Sequence, residues 1–182
     1  MSSIKKIIAG FIQPVVAAFL VVSLAFGFAG NAFAQSIPLV SLKTGDTIAL
    51  RSDTGKYLSR INRGGVDPAE AAKDAVDPYS KFKVTVLDGN KIALQSDTGK
   101  FLSRINYGGN SGRNAIEAAK SDADPYSQFN VKVLDGGKVA LQADNGKFLS
   151  RINYGGNGGK NPIEAAKDAI DPYSQFQVEI LP

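Results

Sequence analysis

The sequence contains no cysteine, no histidine and no tryptophan among its 182 residues. Without cysteine the chain forms no disulfide bond, so its folded state has to rest on its core. Without cysteine and histidine it lacks common transition-metal ligands, and histidine is also the most frequent general base. These absences predict a protein with no cofactor and no metal site.

A strong charge of one sign is also missing, because the formal net charge is only +4. Two of the positive residues, Lys5 and Lys6, belong to an N-terminal segment that we expect to be removed. A surface this close to balance offers little attraction for a phosphate backbone or for anionic lipid. We therefore predict neither nucleic acid nor, after that removal, a membrane as a partner.

The N-terminal segment has the pattern of an export signal. A short basic start precedes an apolar stretch that is strongest from Val15 to Ala29. Ala32-Phe33-Ala34 then supplies the small residues at the positions that a signal peptidase accepts. We predict a signal peptide over residues 1–34 and a secreted domain over residues 35–182, in an extracellular or periplasmic space.

The alternative for this segment is an uncleaved membrane anchor. Ile7 to Gly30 is long enough to span a bilayer. Pro14 and the glycines near the end of the stretch favour a cleaved signal instead.

Three copies of one block fill most of the remaining chain. They begin at Thr47, Lys91 and Lys138, and each one ends with Asp-Pro-Tyr-Ser followed by Phe-x-Val. A period of this length indicates that one structural unit recurs. We place the repeats at residues 47–90, 91–137 and 138–182.

Each repeat is predicted to contain four short strands. Alternation of apolar and polar residues and turn signals between the runs both favour strands. Asp97-Thr98-Gly99-Lys100 and Asp135-Gly136-Gly137 are typical hairpin turns. In the second repeat we predict strands at Ile92–Gln95, Phe101–Ile105, Ile116–Ala119 and Phe129–Val133.

The third strand of each repeat has a helical alternative. Asn161 and Pro162 would cap and start a helix over the following Ile-Glu-Ala-Ala-Lys, and Asn114 to Lys120 is similar. Asp171-Pro172 would end that helix within two turns, and helices so short are marginal. We predict a strand, because a three-fold architecture needs a fourth strand there.

Twelve short strands in three units predict an all-β protein that closes around a pseudo-three-fold axis and leaves no free sheet edge. A solenoid or propeller fragment is the main alternative, but propellers need at least four blades. The predicted core consists of Leu50, Leu58, Phe82, Val84, Leu94, Leu102, Phe129, Val131, Leu141, Leu149, Phe176 and Val178.

The segments Ile48–Ser59, Ile92–Ser103 and Val139–Ser150 share the pattern hydrophobic-Ala-Leu, then Asp-x-Gly-Lys-Tyr/Phe-Leu-Ser. In this pattern the chain resembles the fascin-like β-trefoil, or actin-crosslinking, superfamily. The resemblance implies a β-trefoil fold and a secreted member with a single trefoil. It implies less about function, because the superfamily includes actin-bundling proteins, lectins and accessory modules of secreted enzymes. Ricin-type sugar-binding trefoils carry a Gln-x-Trp element, which a chain without tryptophan cannot have.

A loop after the second strand of each repeat is the first candidate site. Arginine, asparagine and tyrosine beside glycines suit a polyhydroxylated ligand, because the ring offers an apolar face and the polar groups bond hydroxyls. The structural alternative is a turn whose arginine pairs with an aspartate on its own hairpin. The candidates are Arg60, Asn62 and Arg63 in the first repeat, Arg104, Asn106, Tyr107 and Asn110 in the second, and Arg151, Asn153, Tyr154 and Asn157 in the third.

The Asp-Pro-Tyr-Ser segments at Asp77–Ser80, Asp124–Ser127 and Asp171–Ser174 are the second candidate. Aspartate and tyrosine could also hold a sugar. We favour a structural role, in which Asp-Pro opens a turn and the tyrosine packs on the barrel with its hydroxyl bonded.

The chain is not predicted to be an enzyme. Glu70, Glu117 and Glu164 occupy equivalent positions, and a three-fold arrangement would keep these carboxylates apart instead of pairing them for catalysis. We predict a secreted, non-catalytic binding module with lectin-like, multivalent affinity for cell-surface or matrix glycans. The alternative is a fascin-like module that binds protein, such as an actin filament.

Overall fold

The computed structural model describes residues 42–106, 114–152 and 161–182. The predicted signal peptide, residues 1–34, lies outside the described residues. Within them, the chain forms strands joined by turns and short 3₁₀ segments. The strands are β1 (Thr47–Arg51), β2 (Tyr57–Arg60), β3 (Ala69–Lys73), β4 (Phe82–Leu87), β5 (Lys91–Gln95), β6 (Phe101–Ile105), β7 (Ala115–Lys120), β8 (Phe129–Val133), β9 (Lys138–Gln142), β10 (Phe148–Arg151), β11 (Ile163–Lys167) and β12 (Phe176–Leu181).

Six of these strands pair in a closed ring. β1 pairs with β4 and β12, β5 pairs with β4 and β8, and β9 pairs with β8 and β12, always antiparallel. Each strand of the ring therefore has a partner on both sides, and no edge remains open to a foreign strand. The predicted closed all-β architecture is confirmed.

The remaining strands form three hairpins, β2–β3, β6–β7 and β10–β11. Each hairpin is joined to another by a backbone hydrogen bond. Tertiary pairing of this kind gives a short segment backbone partners, and it overrides the local helix propensity of Ala, Glu and Lys. The bonds run from Ala71 N to Asn161 O (2.9 Å), from Ala118 N to Asp67 O (2.8 Å) and from Ala165 N to Asn114 O (2.9 Å).

The strand prediction for the ambiguous third segment is confirmed. β7 covers Ala115–Lys120, one residue more at each end than the predicted Ile116–Ala119, and β11 covers Ile163–Lys167. In the second repeat, the predicted strands Phe101–Ile105 and Phe129–Val133 have the same first and last residues as β6 and β8.

Every residue of the predicted core is buried. β8 illustrates the cause, because Phe129 and Val131 face inward while Lys132 is exposed. The first residues of β4, β8 and β12 are three phenylalanines that are fully buried: Phe82, Phe129 and Phe176. Aromatic side chains of this size contribute strongly to a core, so one phenylalanine from each repeat forms its centre.

Candidate functional site

The arginine at or near the end of each second strand forms an ion pair with a neighbouring repeat. In the first repeat, Nε and Nη2 of Arg60 donate to the two carboxylate oxygens of Asp97, at 2.6 and 2.7 Å. Asp97 lies in the hairpin turn of the second repeat, so the pair crosses a boundary between repeats. The equivalent pairs are Arg104–Asp144 and Arg151–Asp53.

These guanidinium groups are buried. Arg60 is 5 % exposed, Arg104 is 6 % and Arg151 is 4 %. Bidentate pairing with a carboxylate is the geometry that the planar guanidinium favours. The predicted alternative, an arginine paired with an aspartate, is therefore correct in kind. It is wrong for the bidentate pair, whose aspartate belongs to another repeat, although Arg60 also contacts Asp67 of its own repeat.

The Nη1 nitrogen of each arginine donates to a residue that lies one or two positions before the third strand of its own repeat. Arg60 bonds Asp67 at 3.0 Å, and Arg104 bonds Asn114 at 3.0 Å. Hydrogen bonding to Asp97, with a smaller contribution from Asp67, raises the pKa of Arg60, although burial opposes the shift. The same bond from Arg60 lowers the pKa of Asp97.

The tyrosine of each Asp-Pro-Tyr-Ser segment lies on the surface. Asp77 caps a 3₁₀ turn by accepting a hydrogen bond from Ser80 N at 3.0 Å, and Ser80 Oγ accepts one from Asp77 N at 2.8 Å. This turn presents Tyr79 with 44 % of its surface exposed; Tyr126 keeps 40 % and Tyr173 keeps 37 %. The expectation that Asp-Pro opens a turn is confirmed. The tyrosine rings lie on the barrel surface, each more than one-third exposed.

Each of these tyrosine rings is flanked by two cations. The guanidinium carbon of Arg104 lies 5.2 Å from the centre of the Tyr126 ring, and Lys120 Nζ lies 5.8 Å from it. Contacts of this length hold an exposed ring through cation–π attraction. The equivalent sets are Arg60, Lys73 and Tyr79, and Arg151, Lys167 and Tyr173.

The lysines of these sets are also paired with carboxylates. Lys73 contacts Asp77 at 2.9 Å and Lys120 contacts Asp124 at 3.5 Å. Burial has the largest single effect on the pKa of Asp77 and raises it. Hydrogen bonds from Lys73 and Ser80 together outweigh burial, so the pKa is lowered. The cations around each tyrosine are therefore largely balanced by nearby carboxylates.

In the second repeat these groups line a cavity of about 280 Å³. The cavity combines two predicted site residues, Arg104 and Asn106, with Tyr126 and Lys120. Asn106 Oδ1 accepts a hydrogen bond from Arg104 Nη1 at 3.2 Å, which orients its amide. Tyr126 belongs to the second candidate segment of the sequence, for which we favoured a structural role, and Lys120 was missed as a site residue. We call Tyr79, Tyr126 and Tyr173, each with its arginine and lysine, the tyrosine sites.

The other predicted site residues of the first repeat serve their own loop. Asn62 Oδ1 accepts a hydrogen bond from Gly64 N at 3.1 Å, and Arg63 forms an ion pair with the buried Glu70. Both side chains therefore stabilise the loop between β2 and β3. The predicted residues Tyr107, Asn110, Asn153, Tyr154 and Asn157 lie outside the described residues.

In the described ranges, no group of three or more acidic, cysteine or histidine side chains is placed to hold a metal ion. In the same part of the chain, no helix is long and apolar enough to cross a membrane.

No protein-family model matches the chain, and no curated protein matches it. Solved structures do. ThreeFoil, a designed three-fold symmetric protein, aligns with a TM-score of 0.62 and 20 % identity over 74 % of this chain and 99 % of its own. A Polyporus squamosus lectin bound to a human-type influenza-binding epitope aligns with a TM-score of 0.60 and 12 % identity over 76 % of this chain and 50 % of its own.

A mosquitocidal holotoxin gives a TM-score of 0.63 at 12 % identity, over 78 % of this chain and 18 % of the toxin. The chain thus spans nearly all of the designed protein, half of the lectin and less than a fifth of the toxin. Similarity at such low identity shows the fold alone, and it supports a trefoil fold. It does not support the narrower assignment to the fascin-like superfamily.

Proposed function

We propose that the chain is an exported, non-catalytic β-trefoil module that binds carbohydrate at up to three equivalent positions. The observation that carries this proposal is the tyrosine site, an exposed ring flanked by a buried arginine and a lysine in all three repeats. A partly exposed ring held by neighbouring cations offers apolar surface on which a sugar can stack.

Polar groups around the ring supply directional bonds. In the second repeat, Asn106 and Lys120 share the cavity with Tyr126, and together they offer donors and an acceptor for sugar hydroxyls. A shallow cavity with few polar groups suits weak binding of one sugar unit. Several weak sites on one rigid domain would gain avidity on a repetitive glycan surface.

The three positions are not identical. In the first repeat Arg63 occupies the position of Tyr107 and Tyr154 in the other two repeats. Arg63 forms an ion pair with Glu70. The same loop is three residues shorter than its counterparts. We expect the second and third repeats to bind more tightly than the first.

A glycan array followed by calorimetry tests the proposal. Replacing Tyr79, Tyr126 and Tyr173 together by alanine removes the stacking surface, and we expect binding to any glycan found on the array to be lost. Val133→Ala is the matched control, because Val133 is exposed on β8 and outside the tyrosine sites. Unchanged affinity in a folded triple variant would contradict the proposal.

The fascin-like assignment is a separate proposal, supported by the three Asp-x-Gly-Lys segments of the sequence. It would make a protein filament the partner. Cosedimentation with actin filaments tests it: pelleting of the chain only in the presence of filaments supports it, and a chain that stays in the supernatant contradicts it.

A further inference from the structure

Polar grooves lie between neighbouring repeats, beside the tyrosine sites. One groove of about 310 Å³ is formed by Lys91, Gln128 and Asn130 of the second repeat and by Gln142 and Asp144 of the third. A second groove, of about 400 Å³, lies between the third repeat and the first and includes Lys138, Gln175, Gln177 and Asp53. Lysine, glutamine and aspartate therefore recur at matching positions.

Each groove adjoins a tyrosine site through an ion pair. Asp144 lines the groove, while its partner Arg104 lines the cavity with Tyr126. Pro125, next to Tyr126 in the chain, also lines the groove. The cavity and the groove are thus the two sides of the same Arg104–Asp144 contact.

The amides in the grooves are oriented before any ligand arrives. Gln128 Nε2 donates to Ala123 O at 3.0 Å, and Gln142 Nε2 donates to Gly146 O at 2.7 Å. A fixed amide nitrogen also fixes the direction of the amide oxygen, which is an acceptor for a hydroxyl donor. Groups oriented in advance lose little entropy on binding.

We propose that the second and third repeats each bind a neutral oligosaccharide of at least two units. One unit stacks on Tyr126 or Tyr173, and the next occupies the adjoining groove between repeats. This inference rests on the proposed function, since it extends the same sites. The size supports it, because ligand pockets usually measure about 300–1,000 Å³, and the cavity of about 280 Å³ at Tyr126 is small alone.

The charges at the tyrosine sites support a neutral sugar unit there, while Lys91 and Lys138 place one lysine in each groove. At Tyr126 the two cations have carboxylate partners, Asp144 for Arg104 and Asp124 for Lys120. A sulfated or uronic sugar would gain little from cations already paired, and binding should depend only weakly on salt.

The junction between the first and second repeats differs in its residues. Lys81 and Lys83 stand there where the other junctions have Gln128 and Asn130, or Gln175 and Gln177. Thr47 replaces the lysine found at position 91 or 138. This junction therefore lacks the amides of Gln128 and Asn130, although it keeps Gln95 as the counterpart of Gln142. We expect only two extended sites in each molecule.

Calorimetry on residues 35–182 tests the inference with three sugar series: glucose, cellobiose and cellotriose; galactose and lactose; and N-acetylglucosamine, chitobiose and chitotriose. In the series that binds, we expect the disaccharide to bind at least about tenfold more tightly than the monosaccharide. The combined Gln128→Ala and Gln175→Ala variant should lose this gain and keep monosaccharide binding. The Lys81→Ala variant is the control and should keep the gain.

The outcomes separate the two proposals. Equal affinity for the mono- and disaccharide, or a full gain in the folded groove variant, overturns the inference and leaves the proposed function standing. Failure of all the sugars to bind overturns both. If the glutamine variant melts at a lower temperature, the Lys91→Ala and Lys138→Ala pair replaces it, since these lysines line the same grooves. That pair is expected to reduce the gain, and an undiminished gain would contradict the inference.

Discussion

Arg151, in the last repeat, donates hydrogen bonds from Nε and Nη2 to both carboxylate oxygens of Asp53, in the first repeat, at 2.7 and 2.6 Å. The pair joins the end of the repeated region to its beginning. Together with Arg60–Asp97 and Arg104–Asp144, it links every repeat to the next around the barrel. The same arginines support the tyrosine sites, so the closure of the fold and the candidate binding surface share three side chains.

The first prediction concerns this closing pair. Arg151→Ala leaves the Asp53 carboxylate without its partner and removes the support of the Tyr173 ring. We expect a loss of about 3–5 kcal/mol in the free energy of unfolding, measured by urea denaturation. The lower end of that range applies because the Asp53 side chain keeps 22 % of its surface exposed.

Lys147→Ala is the control for this experiment. Lys147 pairs with Asp168, whose side chain is 83 % exposed, and exposed pairs contribute about 0–1 kcal/mol. A double-mutant cycle with Asp53→Ala then isolates the Arg151–Asp53 contribution. Equal losses for Arg151→Ala and Lys147→Ala would show that the ring of ion pairs does not stabilise the fold.

The second prediction concerns the central phenylalanines. Phe129→Ala should destabilise the protein by about 3–5 kcal/mol, because a cavity remains where a fully buried ring was. Phe129→Leu keeps most of the volume and should cost less than half as much. Thermal melting and urea denaturation measure both variants. Since Phe82 and Phe176 occupy the equivalent positions, the same substitutions there should cost similar amounts, and a spread wider than about 2 kcal/mol would contradict the equivalence.

Local patterns in the sequence were sufficient to predict most of the strands, the turns and the core. Alternation placed Phe129 and Val131 inside, and the Asp-Thr-Gly turn placed a glycine at Gly99, whose φ of +79° disfavours other residues. These features depend on contacts between near neighbours in the chain. The strand β7 (Ala115–Lys120) could be chosen only by invoking the three-fold architecture, because its residues favour a helix locally.

The candidate site was harder to predict, because it depends on contacts between distant residues. Nothing in the sequence near Arg60 names Asp97 as its partner rather than Asp53 of the same repeat. Tyr79 and its counterparts were assigned to packing, since a tyrosine after Asp-Pro gives no sign of which side it faces. The 3₁₀ turn capped by Asp77 and Ser80 and the contacts of the Tyr79 ring with its two cations become visible only in three dimensions.

The third prediction is a loss of stability in acid that involves Asp97. The hydrogen bond from Arg60 lowers the pKa of Asp97 in the folded state. Its contribution to stability is therefore complete above the ordinary aspartate pKa of about 3.9 and disappears as the pH falls through the lower folded value. We expect the unfolding free energy to fall below about pH 4.

Asp97→Asn identifies the contribution of Asp97 to this loss. The variant should be less stable than the wild type at pH 7, and the difference between them should narrow as the pH falls from 4 to 2. Part of the acid loss will remain in the variant, because the pKa values of Asp77 and Asp171 are also lowered. Parallel curves for the two proteins over this range would contradict the assignment.

The last prediction concerns Tyr57, which has no hydroxyl counterpart in the other repeats, where Phe101 and Phe148 occupy its position. Its hydroxyl donates to both carboxylate oxygens of Glu179, at 2.9 and 3.0 Å. Burial, and then the hydrogen bond and the negative charge of Glu179, raise the pKa of Tyr57 above 10. Its neutral form therefore stabilises the fold below about pH 10, and this stabilisation is lost as the pH rises through the folded pKa.

Tyr57→Phe keeps the ring and removes the hydrogen bond, so it should cost about 1 kcal/mol at pH 7. Above about pH 10 the wild type loses its advantage, because a tyrosinate would face the Glu179 carboxylate. Urea denaturation from pH 7 to pH 11 should thus show the two curves converging at the alkaline end. A constant difference across this range would mean that the Tyr57–Glu179 contact does not govern the alkaline stability of the fold.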